Sequence, residues 1–372
     1  MNQRAILFAG GGTLGHVFPN VAIAEALAKL RPDLGAQFLV SERPDDAAVL
    51  GRLGYAYTRS SVRPLPRMTR PLEVAGFLIS WRRAVAAARA LVASRRIAAV
   101  VASGGFVSGP GIVAAARAGL PRALVNLDAV PGKANRRLVK TASRVFSVVP
   151  SAELPGAIAI GLPLRAASRG HGTPPEARAV LGLGLDLQLP MLFVTGATHG
   201  AESIVRMMIA WCESAALRPA LASWQVLHQC GHVSPEPLTR AYAAAGVRAT
   251  VVATLEQIGA AFCAADLVIA RSGAGTVAEA WANAAPTVFL PNPYHSDHHQ
   301  LHNAEPMVAA GGAVALEDRI DPDGNLGTTV PAIVELMRDG GRRDRMRAAL
   351  VAAPPPDGAA VVAAWISSAV GA

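Results

Sequence analysis

Ala5-Ile6-Leu7-Phe8-Ala9-Gly10-Gly11-Gly12-Thr13-Leu14-Gly15-His16 is an apolar run that breaks into glycines. Leu267-Val268-Ile269-Ala270-Arg271-Ser272-Gly273-Ala274-Gly275-Thr276-Val277-Ala278-Glu279 repeats the arrangement about 260 residues later. Each reads as a buried strand that ends in glycine and turns into a helix. Such a turn leaves backbone N–H groups without intrahelical partners, and the positive end of the helix dipole adds to them. The combination favours anions, phosphates above all. Two such turns in one chain predict two nucleotide-fold halves facing each other across a cleft, and a phosphorylated ligand.

Strand and helix signals alternate outward from both turns, the pattern of βα units on a parallel sheet. The first series of strands falls near 4–9, 36–41, 98–103, 122–127 and 144–149, with helices at 19–30, 72–94, 109–119 and 133–141. The second falls near 190–196, 224–228, 249–252, 267–270 and 287–290. Gly161 to Pro175 is rich in Gly and Pro and lacks periodicity, which places a link between domains there. Ala353-Pro354-Pro355-Pro356 breaks the chain again, and a last helix is expected over about 358–370. The expected division is 1–163, 164–353 and a terminal helix 354–372 that crosses back to the first domain.

The 372 residues are 52% hydrophobic, enough for two large cores. Three cysteines, Cys212, Cys230 and Cys263, show no paired spacing, which excludes a disulfide framework and a thiolate zinc site. No signal peptide is expected, and no apolar run has the length of a spanning helix. The formal net charge of +9 is carried mostly by Arg. It fits an anionic partner, and Arg-rich, Ala-rich residue usage accounts for it equally well.

The charge is concentrated between Arg59 and Arg96, which holds nine Arg against one acid, Glu73. Arg67, Arg70, Arg82 and Arg83 lie near Phe77, Leu78 and Trp81. Apolar and aromatic side chains beside Arg suit an anionic bilayer surface. An amphipathic helix with a solvated Arg face gives the same pattern. No nucleic-acid partner is expected, since no recognised DNA or RNA module accompanies the charge.

His16, at the helix entry, has the chemistry to accept a proton from a hydroxyl nucleophile, or to serve as an ordinary structural imidazole. Gly275 and Thr276 are placed to offer N–H groups to a diphosphate. Glu279 falls about one turn into the helix, where it can accept from vicinal hydroxyls or simply complement the dipole. Gly196-Ala197-Thr198-His199-Gly200 forms a third turn of this kind. His295, His298, His299 and His302 would stack on one helix face, as polar lining of a cleft or as metal ligands. Asp297 is the one acid nearby, so no metal is assigned.

Several of these segments resemble the MurG-type family of lipid-linked N-acetylglucosaminyltransferases of peptidoglycan synthesis. Gly11 to Pro19 resembles the family's GGTGGHxxP opening, and Gly104-Gly105-Phe106-Val107-Ser108-Gly109-Pro110 its GGYVSGP segment. Val130 to Arg136 resembles the end of HEQNxxPGxxNR, Arg271 to Glu279 resembles RSGALTVSE, and Asp297 to Ala304 resembles DRQQxxNA. The matches keep the family's order over roughly residues 4–315.

The resemblance implies an α/β GT-B fold of two Rossmann-like, doubly wound parallel-sheet domains. The N-terminal one meets the acceptor and the membrane, and the C-terminal one holds the UDP-sugar. It implies inverting transfer of GlcNAc from UDP-GlcNAc to the muramoyl 4-hydroxyl of the undecaprenyl-linked muramoyl-peptide acceptor. The enzyme would be peripheral, at the cytoplasmic face of the plasma membrane, with no tightly bound cofactor and no divalent metal required. Carried onto matching positions, the donor residues are Arg165, Thr198, Leu255, Ala274, Gly275, Thr276, Glu279, His299, Gln300 and Asn303. The acceptor residues are Thr13, Gly15, His16, Phe106, Asn126, Asp128 and Asn135, with His16 and Asp128 as catalytic candidates.

The departures fall mainly on the acceptor side. Leu14 replaces a glycine, Phe106 a tyrosine, and Val125-Asn126-Leu127-Asp128 stands for His-Glu-Gln-Asn. Asp128, two residues beyond the lost glutamate, shares its strand face and is the candidate substitute. On the donor side, His299 replaces a glutamine and the third turn reads GATHG for GGSxG. Three rivals follow: the same donor with another acceptor, a sugar-nucleotide epimerase of the same architecture, and a silent UDP-sugar binder.

Overall fold

The computed structural model describes residues 3–66, 69–197, 200–294 and 296–371. Two compact units emerge, residues 1–165 with 356–372, and residues 166–355. The first unit runs β1 (Ala5–Ala9), α1 (Leu14–Leu30), β2 (Gly35–Val40), α2 (Pro44–Arg52), β3 (Ala56–Arg59), α3 (Pro71–Ser94), β4 (Ile97–Ala102), α4 (Ser108–Arg117), β5 (Arg122–Asn126), α5 (Lys133–Leu138), β6 (Arg144–Ser147) and β7 (Ile158–Ala159). The second runs α6 (Pro174–Leu181), β8 (Met191–Thr195), α7 (Glu202–Glu213), β9 (Gln225–Gln229), α8 (Pro235–Ala244), β10 (Arg248–Val252), α9 (Ile258–Ala264), β11 (Leu267–Ala270), α10 (Ala274–Ala282), β12 (Thr287–Phe289), α11 (His299–Ala309), β13 (Ala313–Ala315), α12 (Pro322–Gly327), α13 (Thr329–Arg338) and α14 (Gly340–Ala352). A last helix, α15 (Gly358–Val370), belongs to the first unit.

Both sheets are parallel, in the orders β3-β2-β1-β4-β5-β6-β7 and β10-β9-β8-β11-β12-β13. The inner strands are apolar on both faces, as a sheet covered by helices on both sides requires. Ile6, Leu7, Phe8 and Ala9 are all fully buried, and Leu267 to Ala270 likewise. In such sheets the chain winds outward from one strand and then returns to wind the other way. Ligands bind beyond the carboxyl ends of the two strands at that reversal. The reversal lies between β1 and β4 in the first unit and between β8 and β11 in the second. The connections that follow these four strands open at Gly10, Ser103, Gly196 and Arg271. Fold topology thus puts all four glycine-rich segments at ligand-binding positions.

Helix α1 begins at Leu14, five residues before the Pro19 start that the sequence suggested. Pro19 costs one helical hydrogen bond, to Gly15, whose exposed carbonyl can meet water. The strands β3, β7 and β13 were not anticipated. They are edge or near-edge strands of two to four residues, too short to show an apolar run.

Helix α15 packs on α1. Arg4 and Arg31 donate to the carbonyl oxygens of Val370 and Gly371, each at 2.8 Å, and so pin its C-terminal end. Its first residue must be glycine, since a Cβ at Gly358 would collide with the Gly161 carbonyl.

Candidate active site

In the first unit the turn after β1 is held from below by Asp46. This buried carboxylate accepts from the Gly12 N–H (2.9 Å), the Ser41 N–H (3.2 Å) and the Ser41 hydroxyl (2.6 Å). The Gly12 N–H, expected to face an anion, is therefore committed inward. Gly12 has φ +95°, and a Cβ there would sit 2.9 Å from the Phe106 ring, so glycine is required. Leu14, in contrast, is an ordinary buried helical residue, which is why the family's glycine can be lost there.

His16, in the first turn of α1, is half-buried. Its Nδ1 lies 3.0 Å from the Ser103 carbonyl oxygen, and the Ser103 hydroxyl donates to the His16 carbonyl at 2.7 Å. A carbonyl can only accept, so Nδ1 carries the proton and Nε2 is the basic nitrogen. Burial lowers the His16 pKa, opposed by the charge of Asp128, by the Ser103 hydrogen bond and by Asp46. Gly104 and Gly105 let the turn after β4 close over the imidazole, since Cβ atoms there would approach its ring at 3.1 and 3.3 Å.

Asn126, at the position of the family's glutamate, is buried and satisfied by the protein. Its Nδ2 donates to the Asp128 carbonyl (2.7 Å) and the Ser147 hydroxyl (3.1 Å), and its Oδ1 accepts from Asn135 Nδ2 (2.9 Å). Asn126 and Asn135 thus brace the segment that carries Asp128. Asp128 is half-buried, while Thr13 and Gly15 are exposed at the mouth of the turn. Arg165 belongs to the first unit, with its guanidinium 3.9 Å above the Phe18 ring.

In the second unit α10 starts directly from the turn after β11, with Gly273 as its N-cap. The first N–H groups, those of Ala274, Gly275 and Thr276, have no acceptor within the helix by its geometry. Nothing lies within 4 Å of a Cβ built at Gly273 or Gly275, so a ligand can approach the backbone closely. Glu279 sits half-buried on the second turn and accepts from the Ser168 hydroxyl at 2.8 Å. Asn283 holds that serine's segment through the Gly170 N–H (2.6 Å) and the Ser168 carbonyl (2.9 Å).

Asn303 is buried and donates to the Ser272 carbonyl (3.3 Å), which brings the start of α11 against this turn. Gln300 accepts from the Asn292 N–H (2.9 Å), and His299 Nδ1 lies 2.7 Å from Asp297. His298, His299 and His302 do not share one helical stripe. His298 is the N-cap of α11 at φ +47°, outside the helix. His302 pairs with Glu305 at 3.0 Å. Among the described residues no group of His, Cys, Asp or Glu is placed to hold a metal ion. Leu255 is half-buried against the core below β11. In the turn after β8, Cβ atoms at Gly196 and Gly200 would collide with neighbouring backbone, and Ala197 has φ +58°. Thr198, His199, His295 and Arg67 lie outside the described residues.

On α3, Leu72, Leu78 and Ile79 are 87%, 52% and 54% exposed, next to the exposed Arg70, Arg82 and Arg83. Trp81 turns inward, 6.0 Å from the Phe77 ring, and leaves room only for glycine at Gly109. Among the described residues no helix is long and apolar enough to cross a membrane.

Ser103, Asp46 and Ser168 were not singled out in the sequence. Ser103 adjoins the Gly104–Pro110 motif, the one available signal; the other two meet their partners only through the fold.

Residues 6–147 match the glycosyltransferase family 28 N-terminal domain, and residues 191–344 the glycosyltransferase family 28 C-terminal domain. A Nocardioides sp. protein named UDP-N-acetylglucosamine–N-acetylmuramyl-(pentapeptide) pyrophosphoryl-undecaprenol N-acetylglucosamine transferase is 37% identical over 339 residues, 90% of each chain. A Clavibacter sepedonicus protein of the same name is 33% identical over 98% of this chain and 96% of its own. Acinetobacter baumannii MurG superposes with a TM-score of 0.73 at 22% identity, over 98% of this chain and 99% of its own, a likeness of fold.

Proposed function

The chain belongs to this MurG-type family within glycosyltransferase family 28, and we propose that it moves GlcNAc from UDP-GlcNAc to the 4-hydroxyl of an undecaprenyl-diphospho-muramoylpentapeptide, with inversion. The relatives match over nine-tenths of the chain, covering both units, and that observation carries the reading.

The acceptor oxygen attacks the anomeric carbon from the face opposite the diphosphate. One C–O bond forms, the bond to the β-phosphate oxygen breaks, and UDP leaves with the electron pair. The second unit holds the donor. The N–H groups of Ala274, Gly275 and Thr276 and the α10 dipole meet the diphosphate charge, which grows as the bond breaks. Glu279, oriented by Ser168, accepts from the ribose hydroxyls. His299, Gln300 and Asn303 receive the sugar and Leu255 the uracil.

The first unit holds the acceptor through Thr13, Gly15, Phe106, Asn126 and Asn135. His16 takes the acceptor proton at Nε2, its tautomer set by the Ser103 carbonyl. Asp128 stabilises the imidazolium that results. Asn126 cannot accept that proton, so base chemistry rests on His16. The α3 face of Leu72, Leu78, Ile79, Arg70, Arg82 and Arg83 meets anionic lipid headgroups. A peripheral position at the cytoplasmic face of the plasma membrane accords with this surface.

The deciding experiment is incubation with UDP-GlcNAc and a short-chain analogue of the lipid-linked acceptor, with UDP and product followed by mass spectrometry. Product far above background supports the assignment. No product, with UDP-GlcNAc still bound, moves the acceptor elsewhere, as the amide at Asn126 would then explain.

A further inference from the structure

Arg271 is the first residue of the turn between β11 and α10, yet its guanidinium is spent inside the protein. Nη1 donates to the carbonyl oxygens of Leu290 (2.7 Å) and Pro291 (3.2 Å). Nη2 donates to the Ser203 hydroxyl (2.6 Å) and pairs with Asp318 Oδ2 (2.7 Å). The side chains are 12% exposed for Arg271 and 0% for Asp318. Asp318 is fully saturated: Oδ2 also accepts from Ser203 (2.6 Å), and Oδ1 from the Ile320 N–H (2.8 Å) and Asn325 Nδ2 (3.1 Å).

The partners come from four places. Ser203 lies in the first turn of α7, after β8. Arg271 follows β11, Leu290 and Pro291 follow β12, and Asp318 follows β13. Those four strands are adjacent in the sheet. One buried ion pair therefore ties together four neighbouring strand ends on the ligand-binding edge. Two of them lead into donor segments: β11 into Ala274–Glu279 and β12 into His299–Asn303. A buried ion pair seldom stabilises a fold more than apolar residues of similar size would, so stability alone is a poor reason for it.

We propose that Asp318 is a positioning residue for the nucleotide-sugar donor, acting through Arg271 to set the donor segments that open α10 and α11 relative to one another. The proposal rests on the donor site lying at the start of α10. Asp318→Asn keeps the size, replaces one acceptor oxygen with a donor and leaves the guanidinium charge unpaired. The expected result is a rise of about tenfold or more in KM for UDP-GlcNAc, a matching loss of UDP affinity by calorimetry, and an acceptor KM within about twofold. The double variant Arg271→Met/Asp318→Asn removes both charges. Its melting temperature should return towards the parent value while the donor KM stays high.

An unchanged donor KM in Asp318→Asn overturns the proposal. So does recovery of donor KM together with thermal stability in the double variant, which would make the pair purely structural. If Asp318→Asn does not fold, Ser203→Ala replaces it: it keeps the ion pair and removes the bridging hydroxyl. A donor KM raised about threefold supports the proposal and an unchanged one overturns it. Glu279→Ala is run alongside. If it too leaves UDP affinity intact, the donor-site reading has failed rather than the role of Asp318.

Discussion

His16 Nδ1 and the backbone carbonyl oxygen of Ser103 lie 3.0 Å apart across 87 residues of chain. The contact leaves Nε2 unprotonated, and burial lowers the imidazole pKa below its ordinary 6.5. The base is therefore fully available at neutral pH, and activity should fall only as pH drops below about 6.5. Removing the Asp128 charge in Asp128→Asn takes away a raising influence and should move this acid limb lower still. His16→Gln should cost about 10²- to 10⁴-fold in kcat and abolish the limb. A full pH–rate profile of the three proteins decides. A limb that persists in His16→Gln would remove His16 as the base.

Glu279 and Ser168 make the corresponding pair in the second unit, 2.8 Å apart. Loss of the carboxylate in Glu279→Ala should weaken UDP-GlcNAc binding by about ten- to a hundredfold, the scale of charge-assisted hydrogen bonds. Ser168→Ala should cost less, because the carboxylate stays and only its orientation relaxes. Titration calorimetry reads both, and equal affinities would take Glu279 out of the ribose site.

His228 gives a prediction about stability. It is buried against the Tyr242 hydroxyl at 3.0 Å, and burial pushes its pKa down to about 3. The unfolded chain binds this proton near pH 6.5 and the folded chain does not. Stability is complete above 6.5 and is lost as pH falls towards about 3, at about 1.4 kcal/mol per pH unit. Urea unfolding at pH 7 and pH 5 should show a loss smaller by about 2 kcal/mol in His228→Gln than in the parent. Equal losses would mean that the folded protein binds a proton at His228 as readily as the unfolded chain does.

Leu72, Leu78 and Ile79 stand out from α3 beside Arg70, Arg82 and Arg83. Replacing the three Arg with Gln should reduce sedimentation with anionic vesicles, by about 1 kcal/mol per charge lost near the surface. The parent should not sediment with neutral vesicles. A parent that ignores anionic vesicles refutes the membrane reading.

Much of the site's location could be read directly. The turns after β1, β8 and β11 were each visible as an apolar run breaking into glycine, because strand burial and glycine's permitted backbone angles are local properties, whereas the one after β4 was marked only by the family resemblance of Gly104 to Pro110. Helix α15 was visible between Ala353-Pro354-Pro355-Pro356 and the last residues for the same reason. Strands β3, β7 and β13 were not, since two to four residues at or near a sheet edge carry no periodic signal. Of the His295–His302 cluster, His298 falls outside the expected stripe for another reason: the spacing suits a helix, and the helix begins only at His299.

What the sequence determined by itself is therefore the alternation of strands and helices, the glycine turns that end the buried strands, and the family. These depend on residues within a few positions of one another. Only the tertiary structure decided how those turns are held. Asp46 takes up the Gly12 N–H, Ser103 selects the His16 tautomer, Ser168 orients Glu279 across 111 residues, and Asp318 neutralises Arg271. The physical reason is strand order. A carboxylate or carbonyl can satisfy a group far along the chain only once the sheet has brought their strand ends side by side, and no local rule records which ends will meet.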